Sequence, residues 1–90
     1  SSMKLKYNFV TNEVADKIVA VAVGGDLEKF NGFIKMNDTG AYIFNMLKSD
    51  VTEEEIVAAM KKDYEDAAEE EIRETVSEFV GKLKEADVLE

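Results

Sequence analysis

The chain has no cysteine, no histidine and no proline. Without cysteine it has no disulfide framework and no thiolate metal site. Without histidine it lacks the commonest general base, the commonest metal ligand and the usual activator of a serine nucleophile. It shows no proline-rich stretch, no repeat and no low-complexity segment, so no internal domain boundary is expected. Basic residues are few: 11 Lys and Arg stand against 20 Asp and Glu, a net charge of −9. No apolar run approaches the roughly 18 residues of a membrane span. Ser1-Ser2-Met3-Lys4-Leu5-Lys6 has no apolar stretch of the secretory-signal kind. Ser1 and Ser2 read as a cloning remnant, so one domain over residues 3–90, in the cytoplasm, is expected.

What is present is enough for one modest core: 90 residues, 46% of them hydrophobic. The charge is uneven. Residues 1–52 carry six acids and six bases, whereas residues 53–90 carry fourteen acids and five bases. An acidic half argues against nucleic acid, because phosphate contacts need Lys and Arg. Its plain reading is the solvated surface of helices.

The first third reads as strands. Phe9 to Val14 is rich in β-branched residues, and Ala15-Asp16 turns the chain. Lys17 to Val23 forms a second strand, with Val19, Val21 and Val23 on one face and Ile18, Ala20 and Ala22 on the other. Gly24-Gly25 ends it, and Asp26 to Asn31 is a polar connection with room for a helical turn. A third strand, Gly32 to Met36, puts Ile34 and Met36 on one face and Phe33 and Lys35 on the other. The period then changes from two to 3.6. Asn37, Asp38 or Thr39 caps a helix that turns Ile43, Met46 and Leu47 inward and stops near Ser49-Asp50. Thr52-Glu53-Glu54-Glu55 is a capping box opening a helix with Ile56, Val57 and Met60 inward, ending near Tyr64. A third helix, from about Ala67 to Ala86, carries Ile72, Val76, Phe79, Val80 and Leu83 as one stripe. Val88-Leu89 folds back on the core. The fold class is therefore α+β and winged-helix-like: a three-stranded antiparallel sheet followed by a three-helix bundle.

Chemistry finds little support. A calcium loop starting at Asp63 would meet Ala67 and Ala68 where an oxygen ligand and a glycine are required, so no metal site is expected. Ser49, Ser77, Thr39 and Thr75 have no histidine to activate them, and Gly24-Gly25 lacks the spacing of a phosphate loop. No catalytic residue, cofactor or enzymatic activity is expected. A winged helix invites DNA binding, as a transcription regulator. Here the third helix would press Glu69, Glu70, Glu71, Glu74, Glu78 and Glu85 into the groove against only Arg73, Lys82 and Lys84. Protein or peptide binding remains. A strand at a sheet edge offers unpaired N–H and C=O groups to an extended peptide, and Phe33 either stands exposed or packs beneath the Gly24–Asn31 connection or the third helix.

At this point the chain resembles a family. Met36-Asn37-Asp38-Thr39-Gly40-Ala41-Tyr42-Ile43-Phe44 is similar to the L-N-x-[ST]-[AG]-x-x-[IL]-[WL] segment of PqqD-like proteins, relatives of a pyrroloquinoline quinone (PQQ) biosynthesis protein. Thr52 to Ile56 with Met60 and Tyr64 resembles T-x-x-[ED]-[IL] and L-x-x-x-Y. Phe79-Val80 with Leu83, then Val88-Leu89, resembles F-L-x-x-L and G-L-[IL], with Asp87 in place of the tail glycine. Phe30-Asn31-Gly32 resembles an F-N-G segment of one subgroup, so PQQ itself is not implied. The resemblance implies a recognition element for the leader of a ribosomally made precursor peptide. The leader would add as a strand to the third strand and be presented to a modifying enzyme, often a radical S-adenosylmethionine (radical SAM) enzyme. It implies main-chain pairing at Gly32, Phe33, Ile34 and Lys35, with a groove flank at Thr75, Phe79 and Lys82. On this reading Ile34→Pro deletes a pairing N–H. The acidic third helix favours a basic or apolar leader unless its acids face away. A homodimer through the exposed edge, or an interaction module of another pathway, are the other partners such a domain would have.

Overall fold

Two β-branched runs separated by two residues make the hairpin that opens the fold. In the computed structural model, which describes all 90 residues, β1 (Phe9–Val14) and β2 (Lys17–Ala22) pair antiparallel from Phe9–Ala22 to Val14–Lys17. Ala15 in the turn has φ of 59°, a left-handed conformation that crowds Cβ against the following carbonyl. β2 ends at Ala22, one residue before its expected end, and Gly24 takes φ of 64° to open a 3-10 turn over Gly24–Leu27. β3 (Phe33–Met36) pairs antiparallel with β2, giving the order β1-β2-β3.

Three helices follow: α1 (Asp38–Met46), α2 (Glu53–Asp63) and α3 (Glu69–Glu85). Of the three candidate caps, Asn37 is the one used: its Oδ1 accepts from the Gly40 amide at 2.9 Å. The capping box forms in both directions, Glu55 N to Thr52 Oγ1 at 3.0 Å and Thr52 N to Glu55 Oε1 at 2.9 Å. Such a cap contributes about 1 kcal/mol. α3 ends in a Schellman turn: the Val88 amide donates to the Leu83 carbonyl and the Asp87 amide to the Lys84 carbonyl. Asp87 holds φ of 60° there. Aspartate tolerates that region better than most residues, and its carboxylate receives the Lys6 ammonium at 2.8 Å.

The helices cover the Ile18–Ala20–Ala22 face of β2, where Ala20 and Ala22 are buried. Small side chains there leave room for α1 to pack on β2 and β3. The valine face is left outward. The core is one cluster of 18 buried hydrophobic residues with no buried polar side chain. Phe44, fully buried, is its largest member and was not among the inward residues expected of α1; Met46, which was, is only half-buried. Phe44 meets Phe9 edge-on at 5.2 Å, and Phe30 extends the aromatic stack.

The N-terminal residues do more than the sequence reading assigned them. Met3 bridges to Val51 and Leu5 to Leu89, with both Met3 and Leu5 buried. On the far side, Arg73 of α3 holds Glu54 of α2 with two N–H groups at 2.6 and 3.0 Å and Glu69 at 3.0 Å, while Lys61 reaches Glu69 at 2.7 Å. The cationic partners keep both carboxyl groups below the usual carboxylate range. Part of the acidic surface is thus an ion-pair network tying α2 to α3.

Candidate functional site

In an antiparallel ladder, residues of the central strand bond alternately to one neighbour and the other. The Val23 amide donates to the Asn8 carbonyl at 3.0 Å, just beyond the paired end of β1 and β2. The alternation therefore assigns odd-numbered residues of β2 to β1 and even-numbered residues to β3. Ile34 opposes Ala20 and Met36 opposes Ile18, so these two use their main-chain groups inside the sheet. Phe33 and Lys35 turn theirs to the open edge. Lys35 bears this out: its carbonyl oxygen is free to accept the Lys82 ammonium at 2.7 Å.

This corrects one expectation. Ile34 is buried, and its N–H serves the native sheet rather than an incoming strand. Proline at position 34 would break the sheet itself. The N–H groups that face the open edge belong to Phe33 and Lys35.

Beside this edge runs a groove of about 360 Å³ between β3 and α3. Thr75, Phe79 and Lys82, one turn apart on α3, form one wall, and Lys35 and Met36 form the other. Four expected residues, Lys35, Thr75, Phe79 and Lys82, are thus brought together. Gly32 precedes the strand and lies outside the groove. Ile34 lies beneath the sheet. The Phe33 side chain is 61% exposed and does not line the groove; by alternation it stands on the outer face, in one cross-strand row with Val21 and Val10. The question of whether Phe33 packs inward is settled in favour of exposure.

The site residues expected from sequence did not include Lys17, Met36, Asn37, Gly40 and Glu78, which also line the groove. Gly40 was legible as the small residue of the family-like segment but not as a groove residue, yet it shapes the floor. A Cβ there would lie 2.9 Å from Phe79 Cε1 and 3.1 Å from Met36 Cβ. Its absence lets the Phe79 ring settle against α1, where the ring is half-buried at the edge of the core. α1 is held in turn by Tyr42, whose hydroxyl donates to Asp63 at 2.5 Å and whose ring meets Tyr64 edge-on. Burial, then the bond to Asp63, pushes the Tyr42 hydroxyl up to about 12.

The acids of α3 mostly face away from this site: Glu69, Glu70, Glu71, Glu74 and Glu85 do not line the groove, and Glu78 alone does. No helix is long and apolar enough to cross a membrane.

The domain is an α+β fold with an open sheet edge beside a helix-walled groove, and an open edge of this kind can accept an extended segment as an added strand. The model of the family "Coenzyme PQQ synthesis protein D (PqqD)" matches residues 12–89, and the chain belongs to that family. No curated protein sequence matches it. Among solved structures, the chain is similar to TbiB1, described in complex with the TbiA(beta) leader peptide. The TM-score is 0.72 at 21% identity, over 97% of this chain and 94% of that one. The likeness establishes the fold: a three-stranded antiparallel sheet followed by three helices.

Proposed function

We propose that this protein is a recognition element for a ribosomally made precursor peptide. It binds the leader as a fourth strand on β3 and presents it to a modifying enzyme. The observation that carries this reading is the open edge: the main-chain groups of Phe33 and Lys35 face outward directly beside the β3–α3 groove. Main-chain pairing supplies affinity that depends little on sequence, and the groove supplies selection. Membership of the PqqD family and the leader-bound state of TbiB1 support it. The role is that of a binding protein without catalysis of its own. A radical SAM enzyme is the modifying partner we favour, with the domain acting in the cytoplasm.

An added strand would alternate its side chains. One set enters the groove against Met36 and Phe79, and the other lies beside Phe33 on the outer face. Ordering a flexible leader costs a few kcal/mol, so a dissociation constant on the order of micromolar is expected. The test is an amide NMR titration with the synthetic leader of a small reading frame encoded beside this gene. Shifts should concentrate on residues 32–36 and on one flank of α3 around Thr75 to Lys82. Saturable binding that leaves those amides unmoved would overturn strand addition.

A further inference from the structure

On a chain of net charge −9 the groove is the exception. Lys17, Lys35 and Lys82 line it, against Glu78 alone. None of the five ion pairs in the molecule involves any of these lysines. Lys82 instead gives one of its donors to a neutral main-chain oxygen, the carbonyl of Lys35 at 2.7 Å. That carbonyl is on the open edge, where an incoming strand places its own N–H. Lys82 therefore acts as a latch across the binding edge.

We propose that the groove selects an acidic leader segment, and that Lys82 is the residue that reads it. This rests on the strand-addition reading and goes further by naming the chemistry of the ligand. When a peptide N–H takes the Lys35 carbonyl, the Lys82 ammonium is left on the helix side of the added strand. Alternate peptide side chains point there. An Asp or Glu at that position accepts from Lys82 in a charge-assisted bond, stronger than the bond to the carbonyl it replaces. A Lys or Arg at that position would meet the like charge of Lys82. Glu78, one turn before Lys82 on α3, is the internal competitor, since a glutamate four residues ahead of a lysine pairs with it readily. The acidic surface of α3 does not oppose this selection, because its other carboxylates lie off the groove.

The test works without the natural leader in hand. A displayed library of random twelve-residue peptides is selected on the wild-type protein, and the recovered peptides are mapped by amide NMR. Edge-bound peptides should be enriched in Asp or Glu at alternate positions. Glu→Gln in such a peptide, or Lys82→Gln in the protein, should weaken binding about five-fold, and the loss should shrink at high salt. Glu78→Gln should tighten it about two-fold. Peptides that shift Phe33 and Lys35 but show no acidic preference, or bind Lys82→Gln with full affinity, would overturn the acidic reading and leave strand addition standing. Peptides that bind away from β3, or a library that yields no binder, would overturn both.

Discussion

The sheet has two edges, and only one of them lies beside a groove. β1 and β3 each pair with β2 on one side and turn main-chain groups outward on the other. On β1 the outward groups are those of Phe9, Thr11 and Glu13, by the same alternation that exposes Phe33 and Lys35 on β3. Beyond Phe9 every residue of β1 is exposed, and no helix wall accompanies it. β3 has buried side chains at Ile34 and Met36, a groove alongside, and Lys82 on its carbonyl. Both edges thus offer main-chain groups that the sheet does not use. The difference lies in what flanks them, which is where affinity beyond a bare ladder must come from.

A pair of proline substitutions breaks the comparison most sharply. Lys35→Pro and Thr11→Pro each delete an N–H that the native sheet does not use, a position where edge strands tolerate proline. Both variants should fold, as judged by circular dichroism. Lys35→Pro should weaken leader binding about ten-fold or more, because the peptide carbonyl opposite is left unpaired. Thr11→Pro should bind as wild type. Lys35→Ala, which keeps the N–H, separates the main-chain effect from the charge. Equal losses at both edges, measured by calorimetry, would mean that β1 takes part in recognition.

A smaller effect is expected from closing the groove floor. In Gly40→Ala the new methyl must displace Phe79 or Met36, given separations of 2.9 and 3.1 Å. Overpacking of this kind costs about 1–3 kcal/mol, read as a lower denaturant midpoint at unchanged slope. Because the Phe79 ring is the element most free to move, leader affinity should fall with it. Lost stability with intact affinity would show that the ring swings out without narrowing the groove.

The fold was largely legible, because each element carries its own signal. Period-two runs mark β1 to β3, the Thr52–Glu55 box opens α2, and a five-residue stripe runs along α3. The site was legible in outline only. Thr75, Phe79 and Lys82 could be placed together only through the family resemblance, which implies a groove flank on α3. Lys17 and Gly40 could not, because they reach the groove through strand pairing and helix–helix approach. Which N–H groups of β3 face outward depends on the phase of the β2 ladder, set by a bond between Asn8 and Val23 that no local pattern reveals. The N-terminal bridges did leave a trace, the alternation Met3-Lys4-Leu5-Lys6-Tyr7. That run is too short to distinguish a strand from an extended tail until Val51 and Leu89 are seen beside it.

The smallest expected effect sharpens the comparison from the other side. Ala15 joins β1 to β2 with φ of 59°, where a Cβ costs about 1–2 kcal/mol relative to glycine. Ala15→Gly removes that cost but adds roughly 0.5–1 kcal/mol of chain entropy in the unfolded state. The net should be a gain of about 0.5 kcal/mol, seen in the denaturation midpoint. Ala15→Asn, which tolerates the same φ without glycine's entropy, should gain at least as much. The turn lies at the tip of the hairpin, joining Val14 to Lys17, and Ala15 itself lines no part of the groove. Leader affinity should therefore stay unchanged while stability rises. A stabilised hairpin that also binds more tightly would show that order in the β1–β2 ribbon reaches β3 through the sheet, and that the two edges are not independent.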